Sequence, residues 1–150
     1  MTESILKALH LLGVVLWVGG MGFALLVLRP SLGVLEPPQR LALHGEVFAR
    51  FFKIVWHAMP LILLTGYAML FFIYGGFGSV NAAVHIMHLF ALIMAAVFVF
   101  IFFVPWAAMR VALEAGDRTA AAAAADRIRK LIMVNLVLGL ATVVIAPFGP

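Results

Sequence analysis

The sequence contains no cysteine and very few charged residues. Ten Lys and Arg and six Asp and Glu make up 11% of its 150 residues, whereas 66% of the residues are hydrophobic. Without cysteine the chain cannot form disulfides, thiolate metal sites or covalent c-type haem attachments. The scarcity of charge excludes an ordinary soluble domain, in which about a quarter of the residues are charged. We therefore predict an integral membrane protein with essentially no soluble domain.

Four apolar runs are long enough to cross a bilayer, whose hydrocarbon core of about 30 Å corresponds to about 20 helical residues. They cover approximately residues Ile5–Leu28, Phe51–Tyr74, Val80–Met109 and Leu131–Phe148. We predict an all-α fold, an integral membrane four-helix bundle forming one transmembrane domain over residues 1–150. The first helix is expected to end at Arg29-Pro30, because proline disfavours helical geometry in the residue before it.

The basic residues predict the orientation of the bundle. Nine of the ten lie in the first and third connections, and only Lys7 lies elsewhere. This positive-inside pattern predicts both termini outside and both long connections in the cytoplasm. Residues 39–53 and 119–130 are predicted to form short amphipathic helices at the cytoplasmic surface that continue into the second and fourth spans. The positive charge therefore indicates contact with membrane lipid, not nucleic acid.

Histidines are the most unusual feature of the apolar runs. Counting 1.5 Å per residue, His10 lies about 9 Å below the outer edge of the first span. On the third span, His85 and His88 lie at about 7.5 and 12 Å. His57 belongs to the inner half of the second span, and His44 is expected to be solvated in the cytoplasmic connection. Ionisable groups inside a membrane are costly, usually face the protein interior and are functional candidates.

Two imidazoles at matched depth on facing helices favour bis-histidine ligation of a b-type haem. We predict His10 and His85 as the axial ligands of the haem iron, with His88 as a substitute or neighbouring donor. Gly13, one turn from His10, would leave a flat surface for the porphyrin. His57 is a candidate for a second cofactor ligand or a proton-relay group. The sequence then predicts electron transfer within the membrane, with a quinone or another redox protein as partner.

Simpler interpretations exist for the same residues. A single membrane histidine can form a hydrogen bond to a neighbouring helix, and small residues are what close helix packing in membranes requires. The aromatics Phe98, Phe100, Phe102 and Phe103 are expected to face lipid. The tryptophans are expected to act as interface anchors. A structural subunit without a cofactor, or a homo-oligomer, also fits the composition.

Several segments resemble the CopD-like group of bacterial inner-membrane proteins. The first segment runs from Leu9-His10 to Met21. The others are Arg29-Pro30, Arg50-Phe51-Phe52, Thr65-Gly66, Val84-His85-Ile-Met87, and Ile128-Arg129 to Gly139. The resemblance implies copper handling and matches His10 and His85 to motif histidines.

The opening His-x6-Trp-x-Gly motif of His10, Trp17 and Gly19 also resembles the HemJ-type protoporphyrinogen oxidases. Those enzymes oxidise protoporphyrinogen in haem synthesis, so this resemblance implies an enzyme of that reaction. The group is also taken to bind b-type haem.

Methionine is the second possible source of metal ligands. Thioethers favour Cu(I), and together with the histidines they would form a soft-ligand path for copper transport or binding. Methionine is also a common apolar filler of cores. The candidates are Met21, Met59, Met69, Met87 and Met94.

Overall fold

The computed structural model describes residues 1–150 as four long helices joined by short connections. The helices are α1 (Thr2–Val34), α2 (Pro37–Phe72), α3 (Ala82–Glu114) and α4 (Arg118–Phe148). Each is long and apolar enough to cross a membrane, and the chain contains no β-strand. The structure therefore confirms the predicted all-α, multi-pass membrane fold.

α1 continues past the proline that was expected to end it. It runs through π-helical turns at Val15–Gly19 and Ala24–Leu28 and a short helical turn containing Pro30, and it ends at Val34. A proline ring clashes with the preceding turn of a regular α-helix, and the wider π-helical turn just before Pro30 accommodates the ring. The predicted helix end at Arg29-Pro30 is therefore wrong.

α2 begins at Pro37, and its amphipathic first half runs without a break into the membrane span, as predicted. The Gln39 side-chain oxygen accepts a hydrogen bond from the Glu36 N–H at 3.1 Å, and these two residues form a capping box at the helix start. The 36 residues of α2 extend about 54 Å, so the helix projects well beyond a 30 Å hydrocarbon core. The predicted surface segment 39–53 is thus the first half of α2. Residues 119–130 likewise lie within α4, continuous with its span as predicted.

The helices pack in two pairs, with α1 against α2 and α3 against α4. Only residues 35–36 separate α1 from α2, and only residues 115–117 separate α3 from α4, which makes each pair antiparallel. Asn81 begins α3 and donates a side-chain hydrogen bond to the Phe148 carbonyl at 2.8 Å, so the start of α3 lies beside the end of α4. Both chain termini consequently lie at the same end of the bundle, as predicted. Which side of the membrane this end faces stays a prediction.

Aromatic side chains fill the core in the middle of the bundle. Trp17, Phe98 and Trp106 are no more than 5% exposed, and Phe52 packs its ring 5.8 Å from Phe98 and 5.5 Å from Trp106. The expected roles of Trp17 and Trp106 as interface anchors and of Phe98 as a lipid-facing residue are therefore wrong. Large rings fill the space between the helices, while aliphatic side chains such as those of Leu11, Leu12, Val15, Leu64 and Val144 cover the outward faces.

Glycines permit the closest helix contacts. A Cβ added to Gly13 would lie 2.7 Å from Ile62 Cγ1 and 3.3 Å from the Ala58 carbonyl oxygen, both on α2. On α4, a Cβ at Gly139 would lie 2.8 Å from Val18 Cγ2. Gly13 therefore packs against α2 and leaves no free surface for a porphyrin, so that part of the sequence interpretation is wrong.

We predict that Gly13→Ala destabilises the bundle by about 1–3 kcal/mol, the usual cost of overpacking a close contact. The added methyl group must displace Ile62 or push α1 away from α2. Thermal unfolding of the purified protein in detergent measures the effect. Gly19→Ala is the matched control, since a Cβ at that position would have no atom of another helix within 4 Å. Equal stability of the two variants would contradict the proposed packing.

Candidate functional site

A cavity of about 350 Å³ lies between the four helices at the end that carries both termini. We call it the histidine cavity, because His10 of α1 and His88 of α3 both line it. Its wall is mainly apolar and includes Val14, Leu63 and Ala91. The remaining polar and sulfur-bearing side chains in the wall are those of Lys7, Tyr67, Tyr74, Thr142, Met69, Met87 and Met94.

The His10 ring is oriented by Thr65 of α2. The Thr65 hydroxyl donates its proton to the Leu61 carbonyl at 2.6 Å. Since a hydroxyl has one proton, its oxygen accepts from the other neighbour, and His10 Nδ1–H donates to it at 3.0 Å. This arrangement favours the neutral tautomer protonated at Nδ1. The lone pair of His10 Nε2 is then available to a ligand.

Gly66 makes room for the same ring. A Cβ at Gly66 would lie 3.3 Å from His10 Cε1, so a larger residue would press on the imidazole. Thr65 and Gly66 are consecutive residues, and Thr65 accepts the hydrogen bond from His10 while Gly66 leaves space for its ring. Together they place an imidazole from α1 against the backbone of α2.

His88 is held by aromatic neighbours. Its Nε2 lies 3.5 Å from the Tyr67 hydroxyl, at the outer limit of hydrogen-bond distance. The rings of Tyr67 and Phe77 meet His88 edge to face, with centroids 5.3 and 5.1 Å away. The side chain is partly buried and lines the cavity on the α3 side. His10 and His88 are thus the two imidazoles that the fold brings to one cavity.

His85 lies outside this cavity. It is exposed and stacks on Phe77 with a centroid distance of 6.0 Å and an interplanar angle of 18°. His85 and His88 therefore contact the same ring, that of Phe77 in the connection between α2 and α3, and only His88 lines the cavity. The sequence predicted His85 as the partner of His10, with His88 as a substitute. Of these two, His88 shares the cavity with His10, and the ligand role of either residue stays a prediction.

The other two histidines lie elsewhere. His57 is exposed on α2, where its Nδ1–H donates to the Lys53 carbonyl at 2.7 Å within the same helix. His44 is half-buried and stacks on Phe48 at 5.5 Å, so the expectation of a solvated side chain is wrong. Neither residue lines the histidine cavity.

Three of the five candidate methionines line the cavity, namely Met69, Met87 and Met94. Met21 and Met59 are buried in the core and do not line it. The chain has no group of three or more His, Cys, Asp or Glu side chains placed to hold a metal ion. The possible donors for a metal in this cavity are therefore two imidazoles and three thioethers, a set suited to a soft cation.

Thr65 and Tyr67 were not among the residues that the sequence singled out as site residues. A hydroxyl in the middle of an apolar span is a weak signal, since it can bond its own helix backbone, as Thr65 also does. Its second role depends on how α1 and α2 are rotated against each other. A single sequence does not determine how the two helices are rotated.

Comparison with known proteins identifies one family. The sequence profile described as "CopD: Copper resistance protein D" matches residues 45–148, which is more than half of the chain. The matched region includes His57, His85 and His88, while His10 precedes it. No curated protein and no solved structure matches the chain.

We predict that Thr65→Val changes the tautomer of His10. Valine keeps the shape of threonine but cannot accept the Nδ1–H hydrogen bond, so the preference for the Nδ1-protonated form is lost. Nitrogen NMR of ¹⁵N-histidine-labelled protein measures the two tautomers. Thr142→Val is the control, because Thr142 also lines the cavity and its hydroxyl donates to the Leu138 carbonyl. An unchanged His10 spectrum in Thr65→Val would contradict the assigned bond.

Proposed function

Because the chain belongs to the copper resistance protein D (CopD) family, we propose that it is a copper-binding protein of the bacterial inner membrane that holds Cu(I) in the histidine cavity. The family match carries the choice of metal. The donors that line the cavity support it independently, since they combine two imidazoles with three thioethers. Imidazole and thioether groups are ligands that copper favours, and thioethers in particular select Cu(I).

Each residue has a separate role in the proposed copper site. His10 offers Nε2, because its Nδ1–H is committed to Thr65. A hydrogen bond from the second ring nitrogen is the usual way in which proteins orient a metal-binding histidine. His88 supplies the second imidazole from α3. The Tyr67 hydroxyl beside its Nε2 either orients the ring or moves away when the ion binds that nitrogen. Met69, Met87 and Met94 supply sulfur from α2 and α3.

The cavity also suits the entry of an ion from this end of the bundle. Its donors come from different helices, and its wall is otherwise apolar, so a bound cation has few alternative partners. Lys7 lies in the wall near the chain terminus and forms an ion pair with Glu3 at 2.7 Å. We propose that copper enters at this end, which the distribution of basic residues predicts to lie outside the cytoplasm.

A b-type haem protein is the second candidate. The observation that favours it is the size of the cavity, about 350 Å³, which falls within the range of pockets for organic ligands and is far larger than a single ion needs. His10 and His88, not His85, would then be the axial ligands. The haem would supply one-electron chemistry, and the chain's own residues would orient the two imidazoles and exclude water. Electron exchange with a quinone or another redox protein, and the HemJ-type oxidase activity, belong to this candidate.

We predict that His10→Ala and His88→Ala each weaken Cu(I) binding by more than the 10- to 100-fold typical of losing a hydrogen-bond partner of a metal ligand. Competition with a coloured Cu(I) chelator measures the affinity of the purified protein. His85→Ala and His57→Ala are the controls and should bind like the wild type, since neither residue lines the cavity. Loss of binding in His85→Ala with retention in His88→Ala would contradict the assignment.

An absorption spectrum separates the two candidates. The copper proposal expects purified protein without a haem band, and copper content that rises when cells are grown with added copper. A sharp haem spectrum on reduction with dithionite, absent in His10→Ala, would instead establish the second candidate. Colourless protein that binds no copper would contradict both.

A further inference from the structure

A second cavity, of about 380 Å³, lies between α1, α2 and α4 at the opposite end of the bundle. We call it the arginine cavity, because four arginines line it: Arg29, Arg40, Arg118 and Arg129. His44 also lines it, and Asp126 is its one carboxylate. The cavity wall therefore carries a clear excess of positive charge, drawn from three helices and from segments almost 100 residues apart.

Most of this charge is not neutralised within the protein. Arg129 pairs with Asp126, but no carboxylate lies within 4 Å of Arg29, Arg40 or Arg118. Asp126 also pairs with a second cation, since its other oxygen lies 2.9 Å from the Lys130 ammonium. Several like charges around one cavity repel each other, and an anion bound between them would relieve that repulsion.

One arginine is held in place at the rim. Arg40 Nε donates to the Leu35 carbonyl at 2.6 Å, and a terminal nitrogen donates to the Gly33 carbonyl at 3.1 Å. These bonds tie the guanidinium to the connection between α1 and α2 and leave further N–H groups free. A guanidinium with a fixed plane suits the oxygens of a phosphate group.

The inner part of the same cavity is apolar. Leu25, Leu28 and Ile132 line it, and along α1 and α4 they lie nearer the middle of the bundle than Arg29 and Arg129. Phe48, which belongs to the aromatic core, also lines it. The cavity thus has a cationic rim followed by an apolar wall that continues toward the hydrocarbon region. A cationic rim next to an apolar wall matches a molecule with an anionic phosphate head and an apolar tail.

We propose that the arginine cavity binds a phosphate-bearing anion, and that the headgroup of an anionic phospholipid is its source. Basic pockets between membrane helices on the cytoplasmic side are suited to such headgroups. Arg29 and Arg118 provide the unpaired charge, Arg40 provides a positioned guanidinium, and the apolar wall receives part of an acyl chain. The proposal concerns a different cavity from the copper site and does not depend on it.

Native mass spectrometry of the full chain in detergent tests the proposal. Phosphatidylglycerol is titrated against phosphatidylcholine, which carries the same phosphate but no net charge, and against inorganic phosphate. Each arginine removed from an anionic headgroup is expected to lower the affinity about fivefold. The double variant Arg29→Gln with Arg118→Gln should therefore weaken phosphatidylglycerol binding by about 25-fold. The matched control, Arg50→Gln with Lys53→Gln, removes two basic residues that do not line the cavity and should bind like the wild type.

Each result decides the proposal. Preference for phosphatidylglycerol in the wild type and the control, lost in Arg29→Gln with Arg118→Gln, supports a lipid headgroup. Displacement of the lipid by inorganic phosphate at similar concentration would support the anion site but overturn the lipid as its source. Equal lipid binding by all three proteins would overturn the site. If the double variant does not fold, the single variant Arg118→Gln, at the exposed start of α4, should show the fivefold loss.

Discussion

The contact between α1 and α2 is the interaction on which the rest of the structure depends. It is reciprocal, because Gly13 of α1 admits Ile62 of α2 while Gly66 of α2 admits His10 of α1. Close approach of two helices in a membrane depends on such small residues. It also brings the Thr65 hydroxyl within 3.0 Å of His10. A polar ring that would be costly in lipid is therefore satisfied inside the bundle, and one of its nitrogens is left free.

Two cavities with different chemistry follow from this packing, one at each end of the bundle. The histidine cavity offers nitrogen and sulfur donors, and the arginine cavity offers positive charge. Aromatic rings lie between them. Trp17, which lines the first cavity, meets Phe98 at 6.2 Å, and Phe98 connects through Phe52 to Phe48, which lines the second. This packed layer closes each cavity from the other, so a cation bound at one end is not in contact with the arginines at the other.

Length and charge were enough to predict the four spans and the common end of the two termini, because a bilayer requires long apolar helices whatever their side-chain packing. The faces of those helices were not predictable in the same way. α3 is apolar all round, so its sequence does not distinguish the face of His85 from that of His88, one turn away. The same ambiguity affected Trp17 and Phe98, which pack in the core although their types are common at interfaces and in lipid contacts. The position of Thr65 opposite His10 depends on the rotation of α1 against α2, which apolar patterning leaves undetermined.

In the proposed copper site, imidazoles from α1 and α3 and thioethers share one bound ion. X-ray absorption spectroscopy at the copper edge, on purified protein loaded with Cu(I), tests it most directly. The account predicts scattering from both imidazole nitrogen and sulfur neighbours, with one imidazole contribution lost in His88→Ala and retained in His85→Ala. A copper environment of oxygen neighbours alone, or one that is unchanged in His88→Ala, would contradict it.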